Sequence, residues 1–202
     1  MQLLDNNPEL QTSMLLDVSG IVLRLTHEQF EHLCQNNPDK SLELTKNGEL
    51  EIMPPVGAAS GRREIGIGAQ LYNWNERTNL GETFSSSTIF ILPSGAEKSP
   101  DASWVERSRW ESFTAQEQEK FLLLAPDFVI ELRSPSDRLP KLQEKMIEYR
   151  DNGVRLGWLI NPQQQQVEIY RLGMDVELLE SPTSLSGEDV LPGFILELRS
   201  IF

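Results

Sequence analysis

Two proline-aspartate pairs and one glutamate in an apolar run are the parts of this sequence best suited to chemistry. Pro100-Asp101 and Pro126-Asp127 each put an aspartate at the mouth of a strand-like segment, and Glu131 interrupts the run Phe128-Val129-Ile130-Glu131-Leu132. Carboxylate oxygens gathered at one point suit a hard divalent cation, which can activate water for hydrolysis. Along one extended strand Asp127 and Glu131 would stand roughly 13 Å apart, too far to share an ion whose oxygen ligands lie near ~2.1 Å. Asp127 is therefore expected to be a strand-start acid. Asp101, arriving from a neighbouring strand, is the aspartate that can meet Glu131. Arg133 lies two residues beyond Glu131 and so points to the same face of an extended chain. Glu64 precedes Ile67 by three residues and Leu71 by seven, which puts its carboxylate on the apolar row of a helix, away from Arg62, Arg63, Gln70 and Asn73.

Each of these residues also has a plainer use. Asp101 could begin a strand after Pro100, Glu131 could form an internal pair with Arg133 or Lys145, and Lys145 could be an exposed helix lysine. Other chemistries find less support. Gly66-Ile67-Gly68 is half of a dinucleotide fingerprint whose third glycine is replaced by Leu71, and it reads as close helix packing. No phosphate-binding loop or Gly-x-Ser-x-Gly elbow occurs, and neither histidine sits near a candidate nucleophile. His27-Glu28 begins like a zinc-protease helix, but that motif needs a histidine where this chain has Glu31.

The elements that must position these groups show as changes of period. Residues 1–25 are polar and Asn-rich at first, without a clear repeat, and read as an extended arm. Thr26 is a fitting N-cap for a short helix whose Phe30, Leu33 and Cys34 share a face. Leu42-Glu43-Leu44 and Leu50-Glu51-Ile52 alternate around Asn47-Gly48, a strong hairpin signal. A helix is expected from about Gly61 to Arg77, with strands at Glu82–Ser85, Ile89–Leu92 and Ser103–Val105, then a short helix or two before Leu124. Phe128–Leu132 has the composition of a central strand covered on both faces. Leu139, Leu142, Met146 and Tyr149 form a helical stripe that ends before Gly153, followed by a strand over Arg155–Ile160 and a returning strand at Val167–Tyr170. Residues 173–202 read as a C-terminal extension with a further strand and a closing segment. No internal repeat or dividing linker appears, so one domain over 1–202 is expected.

A chain of 202 residues can bury about 70% of its unfolded surface, enough for one domain without staples. The single cysteine, Cys34, allows neither an internal disulfide nor a multi-thiolate zinc site. With an early acid at Asp5 and no long apolar run, the protein is expected in the cytoplasm, with no membrane partner. Lys and Arg number 18 against 31 Asp and Glu, a net charge of −13, which excludes whole-surface binding to DNA or anionic lipid. The stretch Leu132–Arg155 departs from this: six basic and four acidic residues give it +2, so the rest of the chain carries −15. Any DNA contact is expected at a local site.

Pro100-Asp101, Glu131-Leu132-Arg133-Ser134, the helix Lys141-Leu142-Gln143-Glu144-Lys145-Met146 and the run from Gly153 to Asn161-Pro162 together resemble the Uma family of restriction-endonuclease-like proteins, within the PD-(D/E)XK nuclease superfamily. The resemblance extends from Thr26 to about Arg171 and is densest between Pro126 and Pro162. It implies an α/β fold, a mixed twisted sheet flanked by helices with added β-hairpins. It also implies that Asp101 and Glu131 hold Mg2+ or Mn2+, with the backbone carbonyl of Leu132 and the carboxylate of Glu64 as further ligands. The lysine usual two residues after the glutamate is Arg133 here; a guanidinium cannot act as a base but can bind a substrate phosphate. In the family that lysine moves to the following helix, a position matched by Lys145. The implied catalytic set is Asp101, Glu131 and Lys145.

The expected function is metal-dependent hydrolysis of DNA phosphodiester bonds by an endonuclease. The acidic body keeps two rivals open. One is a nuclease-like scaffold without catalysis that binds protein or nucleic acid as a homodimer, and the other is a hydrolase of small phosphate esters.

Overall fold

Thr26 starts the first helix, α1 (His27–Asn36), through a reciprocal capping box. Its hydroxyl accepts the Gln29 N–H while the Gln29 side chain accepts the Thr26 N–H, satisfying amides that a helix start leaves unpaired. The computed structural model describes residues 20–202, so the greater part of the expected arm, 1–19, lies outside them. The arm's last residues are paired: the Leu25 N–H reaches Gly48 O and the Leu50 N–H reaches Leu23 O. The expected hairpin forms as β1 (Ser41–Leu44) and β2 (Leu50–Met53), in the register Ser41↔Met53 to Leu44↔Leu50. Gly48 supplies the left-handed φ of 76° that this turn requires.

The next helix, α2 (Ala58–Thr78), buries Ile67, Leu71 and Trp74 and stops where Asn79 turns left-handed. Five short elements follow: β3 (Gly81–Ser85), β4 (Phe90–Ile91), β5 (Glu97–Lys98), β6 (Ala102–Glu106) and α3 (Arg107–Trp110). Sequence gives no sign of β5, because two residues carry no period. After α4 (Ala115–Gln118) and β7 (Leu122–Leu123) come the central strand β8 (Phe128–Leu132), α5 (Leu139–Asp151) and β9 (Leu156–Asn161). β10 (Gln166–Arg171), β11 (Glu177–Glu180), β12 (Ser184–Ser186) and β13 (Ile195–Glu197) complete the chain.

The main sheet has six strands in the order β11-β10-β9-β8-β6-β3. β8 and β9 are parallel and all other neighbours antiparallel, so the chain between β8 and β9 must cross over, and α5 is that crossover. A second sheet of five short strands, β2-β1-β5-β4-β7, carries the hairpin toward α5. Side chains of β8 alternate between two cores. Phe128, Ile130 and Leu132 join Ile67, Leu71 and Trp74 of α2, whereas Val129 joins Leu142, Met146 and Tyr149 of α5. The C-terminal stretch closes the first core: Leu191, Phe194, Leu196, Leu198 and Ile201 are buried against α2 and the sheet. Among the described residues no helix is long and apolar enough to cross a membrane.

Phe194 is the anchor of that closure. Its ring stacks on Trp158 with centroids 6.0 Å apart and meets Trp74 at 5.5 Å and Phe128 at 6.4 Å. Phe194→Ala should cost about 3–5 kcal/mol in urea unfolding, since the cavity it leaves is walled by rings that cannot all collapse inward. A loss below about 1 kcal/mol would mean that the C-terminal stretch rests on a core already closed without it.

Candidate active site

β6 and β8 pair antiparallel with Trp104 opposite Phe128 and Ala102 opposite Ile130. One step further Asp101 comes opposite Glu131, and alternation turns both carboxylates toward α5. Asp101 Oδ2 accepts the Leu132 N–H at 2.6 Å, so a side chain prolongs the ladder where the backbone stops pairing. Helix α5 descends on this face through buried Leu142, Met146 and Tyr149, and Lys145 beside them brings Nζ to 2.8 Å from Glu131 Oε1. The Tyr149 hydroxyl, one helical turn on, donates to the same oxygen at 3.1 Å. A cavity of about 310 Å3 opens here, with Asp101, Glu131, Leu132, Lys145, Glu64 and Glu43 on its wall.

Glu64 reaches this wall from α2, and its carboxylate accepts the Ser86 hydroxyl. Its place on the apolar row thus has a physical reason: that row ends at a polar cavity. Asp127 caps the opposite end of β8, accepting the Glu106 N–H at 2.9 Å and pairing with Arg109 at 2.8 Å.

Arg133 departs from expectation. Its guanidinium donates to Asp137 O and Asn161 Oδ1 at 3.3–3.5 Å, and it does not line the cavity. The Arg133 N–H still donates to Ile160 O, and its guanidinium meets Asn161, beside Leu159 on the face of Glu131; what keeps it from the cavity is its engagement with Asp137 O and Asn161. The basic stretch Leu132–Arg155 is partly neutralised: Lys145 points inward, Lys141 pairs with Glu51 at 2.9 Å at the surface, and Arg150 pairs with Asp151 at 3.2 Å, while Arg138 stays exposed.

The sequence points to neither Glu43 nor Lys98. Glu43 sits in an alternating hairpin, which reads as a solvent-facing position, yet the second sheet and α5 cover it to 3% exposure. Its Oε1 lies 2.7 Å from Lys145 Nζ and accepts the Ser99 N–H at 3.1 Å, while Oε2 lies 3.3 Å from Lys98 Nζ. No pattern in the sequence marks either residue, because the two-residue β5 gives Lys98 no period to break.

Burial and charge together set the protonation of this cluster. Burial would pull Lys145 down, but Glu131 and Glu43 outweigh it and hold the ammonium well above the ordinary lysine range. Burial, then the like charge of Glu131, pushes Asp101 well above the usual carboxylate range against the pull of Lys145 and the Leu132 N–H. Glu131 is raised by burial despite Lys145. Glu43 is held low because Lys145 and Lys98 overcome the burial that would raise it.

Residues 27–199 match the model of the Uma2 family, described as "Putative restriction endonuclease". The chain belongs to this family. No curated protein matches it. Among solved structures, a "putative nuclease belonging to DUF820" from Anabaena variabilis superposes with a TM-score of 0.74, covering 88% of this chain and 97% of that one at 20% identity. At that identity the likeness is one of fold, and the Uma2 chain has the mixed α/β fold of a nuclease. A divalent metal ion is one common means of hydrolysing a phosphodiester.

The donors present can be tested against such an ion. Among the described residues no three acidic, histidine or cysteine side chains form a ready-made metal cage. Asp101 and Glu131 nevertheless fit an ion such as magnesium, which takes one or two carboxylates and completes its shell with water and phosphate oxygens. Their mutual repulsion in a buried place is what a divalent charge would relieve.

A test follows from Asp101. Since its folded pKa lies above the unfolded value of 3.8, the metal-free folded chain holds a proton that the unfolded chain releases, and stability falls as pH rises past that value. Asp101→Asn keeps an oxygen for the Leu132 N–H and removes the charge. It should therefore raise the melting temperature of the metal-free Uma2 protein, with a gain near zero at about pH 3 that grows toward neutrality. Calorimetry across that range checks it; a variant less stable than wild type at pH 7 would contradict the electrostatic account.

Proposed function

We propose that the protein is a metal-dependent phosphodiesterase that cleaves DNA at the cavity between β6, β8 and α5. The observation that carries the reading is the convergence of Asp101, Glu131 and Lys145, from three separate elements, on one cavity wall. Asp101 and Glu131, with the backbone carbonyl of Leu132 and with Glu64 on the rim, would hold Mg2+ or Mn2+. Such an ion, when bound, supplies Lewis acidity toward phosphate and a water acidic enough to react at neutral pH. The chain's own contribution is orientation and charge. Lys145 is held as a cation and so does not take the proton; it would offset the charge that gathers on the phosphate and orient the attacking water with the N–H now on Glu131, once an ion draws on that carboxylate. Leu132 fixes Asp101 through its N–H, and the Tyr149 hydroxyl fixes Glu131, so the carboxylates meet substrate already aligned. Arg133 is not included in the set, because its guanidinium is engaged away from the cavity.

One observation favours a second reading. The Lys145 ammonium contacts Glu131, Glu43 and Ser99 O, which engages all of its donors within the protein. On an acidic body this also suits a scaffold that binds without cleaving.

Cleavage of single- and double-stranded DNA with Mg2+ or Mn2+ separates the two, with small phosphodiesters as a third arm. Glu131→Gln should lose both manganese binding and cleavage. Lys145→Met should keep manganese affinity and slow cleavage by about 10²–10⁴-fold. A wild type that binds manganese and cleaves nothing supports the scaffold, and one that binds no manganese overturns metal-assisted hydrolysis.

A further inference from the structure

The ion pairs around Lys145 extend beyond the cavity. Glu43, on β1, faces Lys145 with one oxygen and Lys98 with the other, at 2.7 and 3.3 Å. Lys98, on β5, has a side chain only 4% exposed, lies 2.6 Å from Glu51 Oε2 and 3.9 Å from Glu148 Oε2, and is absent from the wall that holds Asp101 and Glu131. The row Lys98–Glu43–Lys145–Glu131 thus alternates in sign from the second sheet to the central strand of the first.

We infer that Glu43 is a positioning residue, backed by Lys98, that fixes the Lys145 ammonium at the cavity; this rests on the hydrolase reading above. A lysine is a point charge on a flexible four-carbon stem, with no geometry of its own to hold it. Of its three contacts, Glu131 is the one that a cation at Asp101 and Glu131 would also draw upon. Glu43 Oε1 and Ser99 O, at 2.7 and 3.3 Å, are the contacts that do not depend on the metal carboxylates. Ser99 is itself tied to Glu43, since its N–H donates to Glu43 Oε1, and its single hydroxyl proton is shared between Ser86 O and Thr88 O. Lys98 supplies the opposing charge that keeps the Glu43 carboxylate from turning into the cavity and competing for the same ion. The plain alternative is that Glu43 and Lys98 only staple the two sheets together.

Glu43→Gln keeps the size and an acceptor oxygen but removes the charge. Positioning predicts a fall in kcat of about 100-fold, with KM for DNA and manganese affinity each within about threefold of wild type. In the metal-free protein it also predicts that acetylation of Lys145 by acetic anhydride, read by peptide mass spectrometry against exposed Lys46, rises about tenfold. Lys98→Met should shift both readouts in the same direction by a smaller factor, and it carries the test if Glu43→Gln does not fold. Wild-type kcat together with unchanged Lys145 acetylation in the folded variants would overturn the inference and leave a staple. A wild-type protein that cleaves nothing removes the hydrolase reading on its own; acetylation then decides, with a tenfold rise upholding the positioning of Lys145 and no rise overturning it.

Discussion

A carboxylate in the middle of a sheet that is covered on both faces has to be compensated, and the architecture around β8 follows from that requirement. Glu131 is 3% exposed on the face toward α5, where only the cavity brings water near its charge. Removing one partner of a buried pair typically costs about 3–5 kcal/mol, so Lys145 is as much a structural demand of Glu131 as a chemical one. Lys145 in turn brings more positive charge than one shared oxygen of Glu131 answers, and β1 meets it with Glu43. Glu43 then calls for Lys98. Each added charge lies on a different element, which ties α5 and the second sheet to the central strand more closely than the apolar contacts of β1 would do alone.

The same reasoning explains what could be seen in the sequence. β8, α2, α5 and the first hairpin were legible because each has a period or an unmistakable turn, and Asp101 and Glu131 because a charge inside an apolar run or after a strand-breaking proline stands out. Glu64 was legible for the same reason, as an acid on an apolar row. Glu43 was not, since in Leu42-Glu43-Leu44 the alternation that marks a half-exposed strand is also what a strand with a buried ion pair looks like. Lys98 lies in a two-residue strand with no pattern to read. What alternation cannot show for Arg133 is that Asn161 and the Asp137 carbonyl engage its guanidinium, because these partners lie 28 and 4 residues away with no pattern joining them.

Net charge looked like the main objection to a nucleic-acid enzyme, and the structure changes its weight without removing it. Part of the positive stretch is answered by pairs with Glu51, Glu43, Glu131 and Asp151, so the surface beside the cavity is less basic than the sequence suggests, although Arg138 stays exposed. Affinity for a polyanion that rests on few phosphate contacts is weak and only shallowly dependent on salt. An enzyme of this kind would draw most of its discrimination from the cavity and its bound ion, and little from long-range attraction.

The placing of the lysine on α5 rather than on β8 has its own physical logic. A lysine two residues beyond Glu131 would stand at the end of β8, where Arg133 now donates to Asn161 and the Asp137 carbonyl. A lysine from the crossover helix instead descends across the carboxylate face and carries its stem over the Tyr149 ring, with Nζ 5.7 Å from the centroid. That route passes the second sheet, which a strand lysine would not, and so exposes the ammonium to Glu43 and Ser99 O before it reaches Glu131. An amine carried by the helix is therefore contacted from β1 as well as from β8, with Lys98 of β5 behind Glu43.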